Sequence, residues 1–201
     1  MVEWKDRAAH LASRYVNGTG CHVFLTGRAG TGKTTFLHDI RRRTHKNTIV
    51  AAPTGIAAIN AEGVTLHSLF QLPFGSFIPQ EIPPGEPAPG FEISTPQSLR
   101  RGLKMQSAKR NMLKKLELLI IDEVSMLRAD LLDAVDAVLR LVRRRPGCAF
   151  GGVQVLFIGD LYQLPPVVKE AEWKVLNQFY PTMFFFGARA LAENDPVYIE
   201  L

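Results

Sequence analysis

Gly27-Arg28-Ala29-Gly30-Thr31-Gly32-Lys33-Thr34 decides the fold. The octet fits G-x-x-x-x-G-K-[ST] in full. Its glycines let successive backbone N–H groups turn inward around phosphate oxygens. Lys33 then supplies a point charge to the β and γ phosphates, and Thr34 a hydroxyl to Mg²⁺. The helix expected from Lys33 adds its positive end. His22 to Thr26 (HVFLT), just before the octet, is an apolar run of strand length. Strand, glycine loop and helix together imply a site for a nucleoside triphosphate. Gly27, Ala29, Gly30, Thr31, Gly32, Lys33, Thr34 and Thr35 are its expected contacts.

The same grammar continues on both sides. Residues 3–17 carry apolar side chains at helical spacing, ending near Asn17-Gly18. Thr48–Ala52, Leu118–Ile121, Val153–Ile158 and Val197–Leu201 read as further strands. Lys33–Arg43, Gly55–Asn60, Ala129–Val142 and Glu170–Phe179 read as helices between them. Continuous apolar strands alternating with helices predict a parallel sheet covered on both faces. The chain has 201 residues, which suits one domain with an insertion and leaves no room for two complete nucleotide-motor domains.

Composition narrows the class further. Hydrophobic content of 46% and charged content of 21% fit a globular chain and exclude a disordered, collagenous or coiled-coil one. No apolar run approaches the roughly 18–20 residues that span a bilayer, so no membrane partner is expected. Cys21 and Cys148 are the only cysteines, too few for a disulfide framework. A cytoplasmic setting follows as the expectation. The net charge is +5, and Arg100, Arg101, Lys104, Lys109, Arg110, Lys114 and Lys115 contribute to it without an acid among residues 100–115. That run is either a solvated helix face or a surface for backbone phosphates. Arg41–Arg43 and Arg143–Arg145 are read as complements of helix dipoles. Seven of the 13 prolines lie between Pro73 and Pro96, which excludes a helix or central strand there. The stretch is a surface loop or a small aromatic-rich insertion.

Three more stretches carry chemistry. Leu118–Ile121 ends in Asp122-Glu123. Asp122 suits a Mg²⁺ held largely through its water shell, and Glu123 suits the orientation and deprotonation of an attacking water. Val155–Val167 (VLFIGDLYQLPPV) brings Asp160 and Gln163 to the sheet edge where ligands of such folds bind. Gln163 can touch the γ-phosphate or the water there, or the two residues simply build a turn. Pro53-Thr54-Gly55 opens a helix at the end of the second strand, with N–H groups and a hydroxyl suited to a polynucleotide phosphate. His67 follows downstream.

GRAGTGKTT, APTGIAAINAEGVTLHSLF, LLIIDEVSML and IGDLYQLPPV occur in that order. They resemble the motor motifs of the PIF (petite integration frequency) family of superfamily-one DNA helicases, bacterial type, from about Val23 to Leu201. The resemblance implies a RecA-like P-loop NTPase domain (1–70 and 97–201), with 71–96 as a wedge-like subdomain. It implies ATP hydrolysis with Mg²⁺, coupled to 5′→3′ translocation on single-stranded DNA and opening of forked duplexes. Roles in DNA repair, recombination or telomere maintenance, near the nucleoid, go with it. Lys33, Glu123 and Gln163 become catalytic, Thr34 and Asp122 metal-associated, and Pro53, Thr54, Gly55, His67 and Phe74 DNA-contacting. Such helicases carry an adenine-reading glutamine upstream of the P-loop; residues 1–22 have none, and Asn17 is the nearest amide. They also carry a second RecA-like domain, expected after Leu201 as a partner within a longer chain. The rival readings are a nucleotide-regulated DNA-binding module and a P-loop phosphotransferase; IDEVSM and GDLYQLPPV speak against the latter.

Overall fold

The computed structural model describes residues 7–81, 90–192 and 194–201. Helix α1 (Arg7–Gly18) leads into β1 (Val23–Thr26), then α2 (Lys33–Arg43), β2 (Thr48–Ala52), α3 (Gly55–Asn60), β3 (Val64–Thr65) and α4 (Leu66–Phe70). Short strands β4 (Ser76–Phe77) and β5 (Ile93–Ser94) follow, then α5 (Pro96–Gly102), α6 (Ser107–Lys115) and β6 (Leu118–Ile121). The chain finishes with α7 (Ala129–Arg143), β7 (Gln154–Ile158), α8 (Glu170–Leu176) and β8 (Val197–Glu200).

Six strands form one parallel sheet in the order β3-β2-β6-β7-β1-β8. Side-chain alternation splits its core in two. Val23, Leu25, Leu118, Ile120, Leu156 and Ile158 point to the face covered by α1 and α2, where Val16, Phe36, Leu37 and Ile40 are buried. Phe24, Leu119, Ile121, Val155 and Phe157 point to the opposite face, against Leu132, Val135, Val138, Leu139 and Val142 of α7. Strands buried on both faces need apolar residues at every position, which is why they read as unbroken runs.

The structure adds what periodicity could not show. β3 has two residues and pairs only with β2 at the sheet edge. β4 and β5 pair with each other, Ser76 opposite Ile93 and Phe77 opposite Ser94, in a separate two-stranded parallel sheet. The expectation of a proline-rich loop or insertion at 71–96 meets this small element; residues 82–89 lie outside the described ones. Pro96 does not break a helix but starts one. It stands in the first turn of α5, where its missing N–H costs nothing, behind a capping box formed by Thr95 and Ser98. The basic run 100–115 folds as the end of α5 and all of α6, both with most charged side chains exposed. Helix α1 begins at Arg7 among the described residues; Trp4 lies outside them.

Arg143 stands in the last turn of α7, where its charge suits the dipole of that helix, and it has a second task. Its guanidinium sits at the end of α7 but reaches across to α6, donating to the carbonyls of Leu113 (3.0 Å), Lys114 (2.7 Å) and Leu116 (2.7 Å). These are end-of-helix carbonyls, so Arg143 caps α6 while its charge stays at the end of α7.

Candidate nucleotide-binding site

Four loops leave the carboxyl ends of the neighbouring strands β2, β6, β7 and β1. They are Pro53–Gly55, Asp122–Glu123, Gly159–Gln163 and Gly27–Gly32. At a spacing of about 4.8 Å per strand, the glycine loop and Asp122 are separated by roughly 10 Å across β7. The sequence motifs therefore meet at one sheet edge.

Within the glycine loop, Gly27 (φ 150°), Gly30 (φ 82°) and Gly32 (φ 100°) take backbone conformations that side chains disfavour. At Gly27 space forbids a side chain too: a Cβ would come within 2.5 Å of the Thr31 hydroxyl and 2.9 Å of the Leu201 carbonyl. The Lys33 ammonium donates to the carbonyls of Gly27 (2.5 Å) and Arg28 (2.9 Å), folding back over the loop it follows. Thr34 and Thr35 are exposed in the first turn of α2.

Asp122 extends the β6 ladder, its N–H bonded to the Ala51 carbonyl at 2.9 Å. Burial pushes its carboxyl up to about 6, and the adjacent Glu123 charge adds to this. The Glu123 N–H, Lys33 and His38 pull the other way. Asp122 and Lys33 thus feel each other's charge across the site. Glu123 itself is left-handed (φ 55°, ψ 46°), a conformation costing a non-glycine residue about 1–3 kcal/mol. The bend throws its side chain off the strand direction that Asp122 keeps.

The β7 loop is held from both ends. Gly159 packs so tightly on the Glu123 loop that a Cβ there would lie 2.9 Å from the Val124 nitrogen. The Asp160 carboxylate accepts the Tyr162 N–H (3.0 Å) and the Gln163 side-chain amide (3.4 Å), while its carbonyl accepts the Gln163 N–H (2.9 Å). Asp160 and Gln163 do build a turn, and that turn presents an exposed glutamine at the sheet edge.

For Mg²⁺, the hydroxyl of Thr34 and the carboxylate of Asp122 are hard oxygen donors of the type it prefers, and it is commonly held by one or two such groups plus phosphates and water. Among the described residues no cluster of three or more His, Cys, Asp or Glu is arranged to hold a metal. The donor set fits an ion shared with a nucleotide.

A second surface adjoins the first. Thr54 caps α3, its hydroxyl oxygen accepting the Ala57 N–H at 3.3 Å. The His67 ring stacks on Phe74 with centroids 5.5 Å apart and planes 23° from parallel. Phe74 is 78% exposed, an unusual place for a phenylalanine. Burial, helped by the charge of Arg128, lowers the His67 pKa, while Asp130 opposes this.

One site residue is not brought in. Asn17 lies at the amino ends of the strands, opposite the glycine loop. Its neighbours Tyr15 and Cys21 bond to Gln154 at the start of β7, and Thr19 bonds to Lys46 just before β2. Its amide donates to the Ser13 carbonyl at 3.1 Å. Because α1 runs antiparallel to β1, the end of α1 is the wrong end to read a base held at the glycine loop.

The profile of the PIF1-like helicase family matches residues 5–80 and 90–180. The ATP-dependent DNA helicase PIF1 of Saccharomyces cerevisiae (strain YJM789) is 33% identical over 187 residues, which is 90% of this chain and 19% of that protein. The crystal structure of the Pif1 helicase from Bacteroides in complex with ADP-AlF3 and ssDNA superposes with a TM-score of 0.84 at 43% identity, over 98% of this chain and 41% of that one. A structure of two coordinating Pif1 helicases at forked dsDNA matches with a TM-score of 0.82 at 43% identity, over 100% of this chain and 44% of that one. The chain thus spans about a fifth of the length of the curated relatives it matches.

Proposed function

The chain belongs to the PIF1-like helicase family, and from that premise we propose that it is the ATP-hydrolysing half of a DNA helicase motor. The observation that carries this reading is the meeting of the Gly27–Gly32, Asp122–Glu123 and Asp160–Gln163 loops at one sheet edge. The N–H groups of residues 29–35 bind the phosphates. Lys33 leaves the carbonyls of Gly27 and Arg28 for the β and γ phosphate oxygens. Thr34 and Asp122 would hold Mg²⁺, which would supply positive charge to the phosphates. Glu123 orients the attacking water and takes its proton on a side-chain carboxylate oxygen. Gln163 contacts the γ-phosphate side of the site and reports its occupancy to the rest of the β7 loop.

Pro53, Thr54, Gly55, His67 and Phe74 form the single-stranded DNA face. The exposed Phe74, stacked on the half-buried His67, supports this, since aromatic planes bind bases without regard to sequence. Travel is 5′→3′, and forked duplex is the natural substrate of the complete protein. Residues 71–96 serve as its wedge. A second RecA-like half of the same full-length chain closes the nucleotide cleft and supplies an arginine, a contribution worth about 10³–10⁵ in rate. These 201 residues alone therefore hydrolyse ATP slowly, bind DNA weakly and unwind nothing. ATPase rates with and without single-stranded DNA, on this chain and on a longer one, test the reading. Robust unwinding by this chain alone, or DNA-independent turnover in both, overturns it.

A further inference from the structure

A cavity of about 560 Å³ opens between residues 77–79 and 96–100 on one side and the carboxyl-terminal half of α7 on the other, and none of the nucleotide-loop residues lines it. Phe77, Leu99, Ala137 and Leu141 give it an apolar floor. Arg100 from α5, Arg144 from the end of α7 and Arg189 from the turn before β8 reach its rim. All three arginines are exposed, and none makes an ion pair among the described residues. Two carboxylates, Asp133 and Asp136, line the cavity as well. Asp133 accepts the N–H groups of Arg189 (3.1 Å) and Ala190 (2.9 Å). Asp136 accepts the Phe150 N–H (2.5 Å) and is paired with Arg140 (2.7 Å). Three arginines from three separate segments therefore surround one greasy hollow and outnumber Asp133, the one lining carboxylate without an ion pair among the described residues.

We propose that this cavity docks an acidic linear segment of a partner protein, whose aliphatic or aromatic side chain fills the floor while flanking carboxylates meet Arg100, Arg144 and Arg189. The volume lies within the range of specific ligand sites. The guanidinium forks match carboxylates in a planar, two-bond geometry. A nucleic-acid backbone would satisfy the charges but has nothing apolar to place on Leu99 and Leu141. Nor does it find a base-stacking surface, because Phe77 is only 4% exposed.

The test uses the whole 201-residue chain and three fluorescent probes: a decapeptide alternating aspartate with leucine around one phenylalanine, an all-aspartate decapeptide, and oligothymidylate. The mixed peptide should bind about tenfold or more tighter than the all-aspartate one, because only it covers the floor. Arg144→Asn combined with Arg189→Gln should weaken the mixed peptide about tenfold and leave oligothymidylate within about twofold. Position 144 tolerates asparagine, since it caps α7 with φ 57°. On the unaltered chain, amide-exchange protection by the mixed peptide should appear in α5 and the end of α7. Equal affinity for the two peptides, parallel loss of oligothymidylate binding, or protection centred on the glycine loop would each overturn the proposal.

Discussion

The Arg128 guanidinium grips the Asp130 carboxylate with two parallel bonds, Nε to Oδ1 at 2.9 Å and Nη2 to Oδ2 at 2.8 Å. Its other donors reach Glu172 of α8 (3.0 Å) and Ser76 of β4 (2.9 Å), and Asp130 also accepts the Phe77 N–H (3.0 Å). One arginine thus ties the start of α7 to β4 and to α8. The pair is well shielded, with 19% and 3% of the two side chains exposed. Removing Asp130 leaves the shielded Arg128 with Glu172 alone and takes the acceptor from the Phe77 N–H. Asp130→Ala should cost about 3–5 kcal/mol, read as a fall in the urea midpoint. The triple variant Arg128→Met, Asp130→Leu, Glu172→Gln should lose clearly less, because no charge of the cluster is then left alone. An equal loss in both would mean that packing, not charge, dominates there.

Glu123 and Lys33 separate chemistry from binding. Glu123→Gln keeps shape and should retain nucleotide affinity while turnover in a complete protein falls by about 10²–10⁴, the usual worth of a general base. Lys33→Ala should remove both affinity and turnover. Gly159→Ala should also lower turnover, because the new Cβ must displace the Val124 nitrogen beside Glu123. Nucleotide titration alongside phosphate release distinguishes the three. Normal turnover in Glu123→Gln would remove Glu123 as the base.

Acid should weaken the fold through His22. Its Nδ1 accepts the Val155 N–H at 3.0 Å, and burial pushes its pKa down to about 4. The folded chain therefore binds this proton less readily than the unfolded chain does. The contribution of neutral His22 is complete above its ordinary pKa of about 6.5 and is lost as pH falls toward about 4. Asp122 and Asp133, both pushed up to about 6 mainly by burial, act with opposite sign, since folding favours their neutral forms and gains as pH falls. The net curve blends these effects, so the clean measurement is a difference. In His22→Asn the amide oxygen takes over the bond without titrating. Between about pH 7 and 4.5 the variant should gain about 2 kcal/mol on the unaltered chain. A constant difference across that range would clear His22.

The nucleotide edge was legible because its parts are local. A glycine loop, an apolar run ending in Asp122-Glu123, and a second run ending before Asp160 each carry their chemistry within a few residues of a strand. Parallel pairing then brings them together without further instruction. What was not legible depends on distant partners. Arg128, Asp130, Ser76 and Glu172 come from separate stretches, and no spacing announces that they meet. That Arg143 also caps α6 shows only once α6 is seen beside it. Asn17 is the amide nearest to the glycine loop in sequence, but α1 runs against β1 and leaves it at the other edge. β3, β4 and β5 have two residues each, too short for any period to show.

The stacked pair of His67 and Phe74 makes the last prediction. A phenylalanine left 78% exposed on a half-buried histidine gains little for stability, so its removal should barely move the urea midpoint. If the pair receives a base, Phe74→Ala should cost about 1–3 kcal/mol of single-stranded DNA affinity. Stacking releases no counterions, so the dependence of affinity on salt should keep its slope. Neutralising Arg101 and Lys104, both exposed, should do the reverse if they meet phosphates: each lost contact flattens the slope by about 0.7. Affinities measured across a salt series for the three proteins distinguish the two contributions. If Phe74→Ala changes the slope and not the intercept, or changes neither, the aromatic pair is not the base-binding surface.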